Sequence, residues 1–332
     1  MLQTNVKTTE TLKTSRFFLM PTAFIGIGGY SKVVFPTLDR LINENYGCRP
    51  GPLQMSIFDF DEAKAESSTN GKKYSIEPYL VPLPKKVLKD VSKKLRRKVE
   101  LPWIKNLAQY VALDHVRYAE APGLNLFVQS GNLAWRLVWE SHVLPELKIK
   151  LKGLHPVPQE LNELERQGFK VSNRSCIWVI AGGGSTTGPT GLIPIVAELK
   201  RNKPPETNLF VIVFTPNSYR DKTDAHRTRG RAIFAAMMEN LIELFNGRIF
   251  DQPYSPGGSY RITLEEDPCD QLFLIDGSLS GGRTELKTEE LGDLVANYLY
   301  KFSTSPVGEH QLGIIGNLNA GLKPAKEVNN ES

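Results

Sequence analysis

Short, nearly unbroken apolar runs alternate along this chain with longer stretches in which apolar residues return every three or four positions. The first pattern is that of buried strands and the second that of amphipathic helices. The first strand is predicted at Thr22 to Gly26, and it ends in the loop Gly26-Ile27-Gly28-Gly29-Tyr30-Ser31. A helix follows from Lys32 to about Asn43, with Val33, Val34, Leu38, Leu41 and Ile42 on one face. After a turn-rich connection from Asn45 to Pro52, Leu53 to Phe60 forms a second strand that closes on Asp59 and Asp61. From Ser175 the alternation resumes. Cys176 to Ala181 is a buried strand running into Gly182-Gly183-Gly184-Ser185-Thr186-Thr187-Gly188, and Pro189 opens a helix to about Leu199. Proline suits the first helical turn, where a missing N–H leaves nothing unpaired. Strands are then predicted at Asn208 to Phe214 and Gln271 to Asp276, with helices at Thr228 to Asn246 and Thr288 to Phe302. This order predicts an α/β fold, a doubly wound, mostly parallel sheet flanked by helices, with ligands at the carboxyl ends of its strands.

The middle of the chain is less regular. Glu66 to Lys73 reads as a loop, Pro78 to Pro84 is broken by prolines, and Lys85 to Val99 is an amphipathic helix with Val87, Leu88, Val91, Leu95 and Val99 beneath its lysines. Trp103 to Tyr110 and Asn132 to Leu147 are predicted helices, whose tryptophans read as core residues. Residues 1–15 are expected to be a flexible arm, 16–322 one domain and 323–332 a polar tail.

Composition narrows the class. With 332 residues, 40% hydrophobic and 23% charged, and no apolar run near the length that spans a bilayer, the chain reads as globular, without a transmembrane segment. The N-terminus lacks a secretory apolar core, so a cytoplasmic protein is expected. Cys48, Cys176 and Cys269 form no CxxC pair and the histidines no HExxH, so no disulfide framework or protein-built metal site is expected. The net charge of +5 is unevenly distributed. Residues 85–98 hold eight cations against Asp90, so the rest of the chain is slightly acidic. This basic helix is either a solvated face or a contact for an acidic partner. Few aromatics interleave with its cations, so base-stacking recognition is not indicated.

Two glycine loops, each after a strand and before a helix, are the candidate chemistry. Free N–H groups at such a helix start bind phosphate. A Walker loop over Gly183 to Thr190 is excluded, since Pro189 stands where its lysine belongs. The serine-hydrolase elbow GxSxG is excluded by Thr187 at its second glycine. The dinucleotide pattern GxGxxG is partly met by Gly26, Gly28 and Ser31, with an acid at the end of the second strand. An NAD(P)-dependent Rossmann oxidoreductase is therefore an alternative, although it leaves the second loop unexplained.

The sequence AGGGSTTGPTG resembles the signature loop of the tubulin and FtsZ superfamily. GIGGYSK is similar to that superfamily's first nucleotide loop, in a form close to the bacterial tubulin-like proteins, and MSIFDFD to its second strand. RTRGRAIFAAMMENL matches the helix after the fifth loop, and FLIDGSL the strand beside the guanine base. The resemblance implies a Rossmann-like GTPase domain that binds GTP or GDP with Mg2+ and that self-associates or binds a protein partner. Gly182, Gly183, Gly184, Ser185, Thr186, Thr187 and Gly188 would form an anion nest around the phosphates. Gly28, Gly29, Tyr30 and Ser31 would close over the diphosphate, Asp59 would lie near the ribose or a magnesium-bound water, and Asn217 near the sugar. Asp276 and Asn297 would read guanine.

Hydrolysis in this superfamily is completed by an acidic loop reaching a neighbouring subunit's nucleotide, and Gly316 to Leu322 resembles that loop. Gly321 and Pro324 stand where its acids would be, so hydrolysis is expected to be weak or absent and no catalytic residue is assigned. The other reading of GIIGNLNAG is a glycine-rich strand exit. The sequence given leaves no room for the superfamily's second C-terminal domain, so conventional protofilaments are not expected.

Overall fold

A computed structural model describes residues 17–61, 66–69, 72–75, 79–117, 128–218, 224–277 and 286–322. The expected arm and tail lie outside these residues. The N-terminal half contains β1 (Phe17–Leu19), β2 (Thr22–Ile27), α1 (Ser31–Tyr46), β3 (Leu53–Asp59), β4 (Glu66–Thr69), β5 (Lys72–Ser75) and β6 (Leu80–Pro82). The helices α2 (Lys85–Arg96), α3 (Leu113–Arg117), α4 (Val128–Val138), α5 (Leu144–Gly153) and α6 (Pro158–Arg166) follow. The C-terminal half runs through β7 (Phe169–Val171), β8 (Ser175–Gly182), α7 (Thr187–Asn202), β9 (Thr207–Phe214), α8 (Asp224–Phe245), β10 (Phe250–Pro253), β11 (Arg261–Leu264), β12 (Gln271–Ile275), α9 (Thr288–Thr304) and α10 (Pro306–Leu322).

The central sheet has six strands in the order β12-β9-β8-β2-β3-β6, and all its pairings are parallel. From β2 the chain first builds outward through β3 to β6, then returns to β8 and builds the other way through β9 to β12. The crevice beyond the carboxyl ends of β2 and β8 is therefore the topological switch point, where open α/β sheets bind ligands. Both faces are covered. Ile177, Val179 and Ala181 of β8 join one buried cluster, and Cys176, Trp178 and Ile180 join the other. A strand buried on both faces has no polar side, which is why CIWVIA is continuously apolar. Trp135 and Trp139 are fully buried, as expected, and so is Trp178, whereas Trp103 is only partly buried against the core.

Four sequence expectations are corrected. Within the predicted loop Glu66 to Lys73, β4 and β5 pair antiparallel. The helix predicted at Trp103 to Tyr110 is a 3-10 helix over Pro102–Leu107. The helix predicted from Asn132 to Leu147 is divided by a π-helical turn at Trp139–Val143, just before Pro145 in the first turn of α5. Proline has no N–H to continue the ladder, and the widened turn accommodates the break. The segment Gly316 to Leu322 is neither a loop nor a strand exit but the end of α10. In that helix Leu312 and Ile315 return to the core at helical spacing, and Gly308 lies so close to the Phe302 carbonyl that a side chain there would overlap it.

Candidate functional site

The two crossovers at the switch point touch. A Cβ on Gly28 would begin 3.3 Å from that of Thr187, and the Gly28 N–H donates to the Phe58 carbonyl at the end of β3. Gly28 has φ of +79°, a conformation that favours glycine. Ser31 Oγ donates to the Gly28 carbonyl at 2.6 Å and holds this loop closed. Tyr30 is a strut rather than an open ligand: its ring stacks on Phe214 with centroids 3.8 Å apart, and its hydroxyl donates to Ser218 O. Gly29 is exposed, with open space where a side chain would stand.

Both helices that start here, α1 and α7, lack a side-chain cap and an acidic residue in the first turn. The first N–H groups of a helix have no intrahelical partner, and the dipole makes that end positive. Within the second loop the side-chain hydroxyls of Ser185 and Thr186 have no hydrogen-bond partner, and Thr186 is only 4% exposed. Among the described residues these two hydroxyls spend no hydrogen bond within the fold, which leaves both able to donate at the start of α7. An anion with several oxygens fits it.

Sequence reasoning missed a third wall. Gly131 in the first turn of α4 packs on Thr186 and Thr190, so that any side chain at 131 would collide with them, and Trp135 presses its ring onto Gly191. Beside Gly131, the fully buried Ser130 hydroxyl also lacks a partner. The Ser130-Gly131 pair at a helix start was the available signal, being the same small, hydroxyl-bearing chemistry as the start of α7.

Two glycines of the second loop are also required by packing. At Gly183 a side chain would strike the Phe234 ring and the Phe214 carbonyl, and at Gly188 the Gly182 carbonyl. Gly230 of α8 packs on the Gly184 carbonyl in the same way. These positions are small because helix and strand backbones meet there. Gly183 N–H is itself engaged, donating to Phe214 O at 2.7 Å.

Asn217 Nδ2 donates to Asp276 Oδ2 at 3.2 Å, so these two residues predicted for the sugar and base are brought together. Arg231 of α8 adds a cation beside them, donating to Asn217 Oδ1 at 3.4 Å. Asn297 does not join them in the described contacts. It is exposed on α9 and donates to Asp293 O of its own helix. It lies nine residues beyond Thr288, whose hydroxyl reaches Ser218 O, a separation of about 13 Å along a helix.

Asp59 is committed. Its carboxylate forms a 2.7 Å ion pair with Lys32 and accepts the Asp61 N–H at 3.1 Å, while the Lys32 ammonium also donates to Asp61 O at 2.9 Å. Both residues are buried, at 5% exposure for Lys32 and 4% for Asp59. A carboxylate already paired with a fixed cation is a weaker acceptor for magnesium-bound water, which leaves nucleotide phosphates as the main ligands such an ion would find here. The side chains here offer hydroxyl donors to an anion and, in Asp59, a carboxylate already committed to Lys32. Among the described residues no group of three or more His, Cys, Asp or Glu is arranged to hold a metal.

Burial pushes the Cys176 and Cys269 thiols up to about 12, so neither is a thiolate nucleophile at neutral pH. Among the described residues no helix is long and apolar enough to cross a membrane.

These features define a doubly wound, parallel α/β architecture with two glycine loops and three helix starts gathered at its switch point. No family model and no curated protein matches the chain. Among solved structures it is similar to CetZ from Methanosaeta thermophila strain DSM 6194, at 12% identity and a TM-score of 0.42 over 84% of this chain and 52% of that one. It is also similar to CetZ1 from Haloferax volcanii, a GDP-bound monomer, at 12% identity and 0.41 over 84% and 58%. TubZ of Bacillus thuringiensis serovar israelensis, a GTPγS-form protofilament, matches at 12% and 0.35 over 88% and 58%. The chain spans a little over half the length of these structures.

Proposed function

We propose that this chain is a tubulin/FtsZ-like guanine nucleotide-binding protein that self-associates or engages a protein partner when GTP is bound, with weak or absent hydrolysis. The observation that carries the reading is the set of buried, unpartnered hydroxyls of Thr186 and Ser130 at two helix starts, against the Gly28 loop. The Gly182 to Gly188 loop takes the phosphates through its hydroxyls and the backbone N–H groups at the start of α7, the Gly183 N–H being held by Phe214 O, with Gly28, Gly29 and the Ser31-braced loop on the other side. Asn217 and Asp276 lie on the sugar and base side, with Asn297 as a more distant candidate. The helical course of Gly316 to Leu322 supports weak hydrolysis, because a helix end without acids at those positions has no carboxylate to polarise a water. Magnesium, which the resemblance implies, is the component the Lys32–Asp59 pair does not favour.

Isothermal titration with GTP, GDP and NADH tests this reading. Saturable binding of GTP and GDP is expected, and absence of guanine nucleotide binding would sink it. Phosphate release that stays near background as protein concentration rises is the expected companion result, whereas release rising with concentration would mean catalysis across a subunit contact. The strand order favours a second reading, since a dinucleotide-binding sheet has the same order. That NAD(P)-dependent oxidoreductase requires NADH to outcompete GTP.

A further inference from the structure

The Lys32–Asp59 pair is left over when the nucleotide site has been assembled. It is a buried charge pair one residue from the Phe58 carbonyl that holds Gly28. A buried pair is seldom explained by stability alone, since desolvation offsets most of its attraction and well-packed apolar residues do as well. Its place in the fold offers another explanation. Asp59 ends β3 and Lys32 stands in the first turn of α1, so both charges lie at the carboxyl edge of the sheet beside the loops. Without Lys32, a buried carboxylate would face the position the phosphates take and would repel them. A divalent cation would be one way to cancel that charge, and the Lys32 ammonium already does so through the ion pair. An ammonium carries three donors. Asp59 Oδ2 and Asp61 O take two, and among the described residues nothing takes the third.

We propose that Lys32 stands in for the divalent cation: it neutralises Asp59, gives its remaining N–H to a phosphate oxygen of the bound nucleotide, and makes binding independent of magnesium. The proposal rests on the nucleotide reading above. Asp59 is then the charge that Lys32 cancels, and it contributes nothing attractive to the phosphates.

The test is equilibrium titration of GDP and GTP onto the full chain, in excess magnesium and in excess EDTA. Affinities agreeing within about threefold are expected, as a charge-assisted hydrogen bond from lysine is unaffected by chelation. A loss of tenfold or more in EDTA, about 1.4 kcal/mol, overturns the proposal but leaves the nucleotide reading standing. No binding in either buffer overturns both.

Two variants separate charge from architecture, each checked for its fold by circular dichroism and thermal melting. The double variant Lys32→Met/Asp59→Asn removes both charges without stranding either, and should bind about tenfold or more weakly with magnesium unable to restore it. Asp59→Asn alone keeps the ammonium and releases its charge, and should bind as tightly as the wild type or more tightly. If the pair only props up the loop, both variants lose affinity together. That result, or an unchanged double variant, overturns the role given to Lys32.

Discussion

The β2–α1 and β8–α7 crossovers occupy equivalent places on either side of the switch point, yet they present different chemistry to the crevice. The first carries a fixed charge pair, Lys32 with Asp59, and a loop whose own hydroxyl, on Ser31, is already spent on the Gly28 carbonyl. The second has no charged side chain from Gly182 to Gly188 and keeps its hydroxyls unspent on Ser185 and Thr186. The difference teaches that, on the proposed nucleotide reading, one crossover brings fixed charge to the crevice and the other brings neutral hydroxyl donors.

The largest expected effect tests the charged side. Lys32→Ala strands a buried carboxylate, which typically costs about 3–5 kcal/mol, and urea unfolding at neutral pH should show a loss of that size. A surface-like change below about 1 kcal/mol would mean that the pair is solvated and the contrast is wrong. Thr186→Val tests the gripping side with opposite signs. The change removes an unpartnered buried hydroxyl, so the melting temperature should hold or rise, while GTP affinity should fall by about 1.5–3 kcal/mol, the range for a hydrogen bond to a charged group. Loss of stability with unchanged binding would reverse the assignment.

Gly183→Ala should cost about 1–3 kcal/mol of stability through overpacking on Phe234 and the Phe214 carbonyl. Any folded fraction should bind nucleotide normally, and a stable variant that has lost binding would instead mean that the glycine leaves room for phosphate. The smallest effect belongs to Asn297→Ala. Its side chain is exposed and bonded within its own helix, so stability should move by no more than about 0.5 kcal/mol and GTP affinity should not change. A tenfold preference for ATP gained by that variant would restore Asn297 to the base-reading group.

Much of this was legible from residue order. The strands around both loops, the helices after them and the burial of Trp135 and Trp139 follow from periodicity and from the contrast of polar and apolar residues. The Ser130-Gly131 pair was legible as a small, hydroxyl-bearing helix start, but its place at the site was not, because Gly131 reaches Thr186 from a distant part of the chain through a contact that no local pattern encodes. The end of α10 misled for a related reason. Glycines at 313, 316 and 321 look like a loop in one dimension, but Gly308, Leu312 and Ile315 show α10 to be a helix pressed on its neighbours. A glycine that allows close approach and a glycine that allows an unusual φ are the same letter.

The sequence by itself determined the alternation of strands and helices, the two glycine crossovers and the acid at the end of the second strand, because each depends on residues adjacent in the chain. Only the tertiary structure decided which hydroxyls are left without partners and which glycines serve packing. It alone decided that Asp59 belongs to Lys32. Those outcomes depend on what the folded chain brings within about 3 Å, the range over which a hydrogen bond or buried ion pair forms.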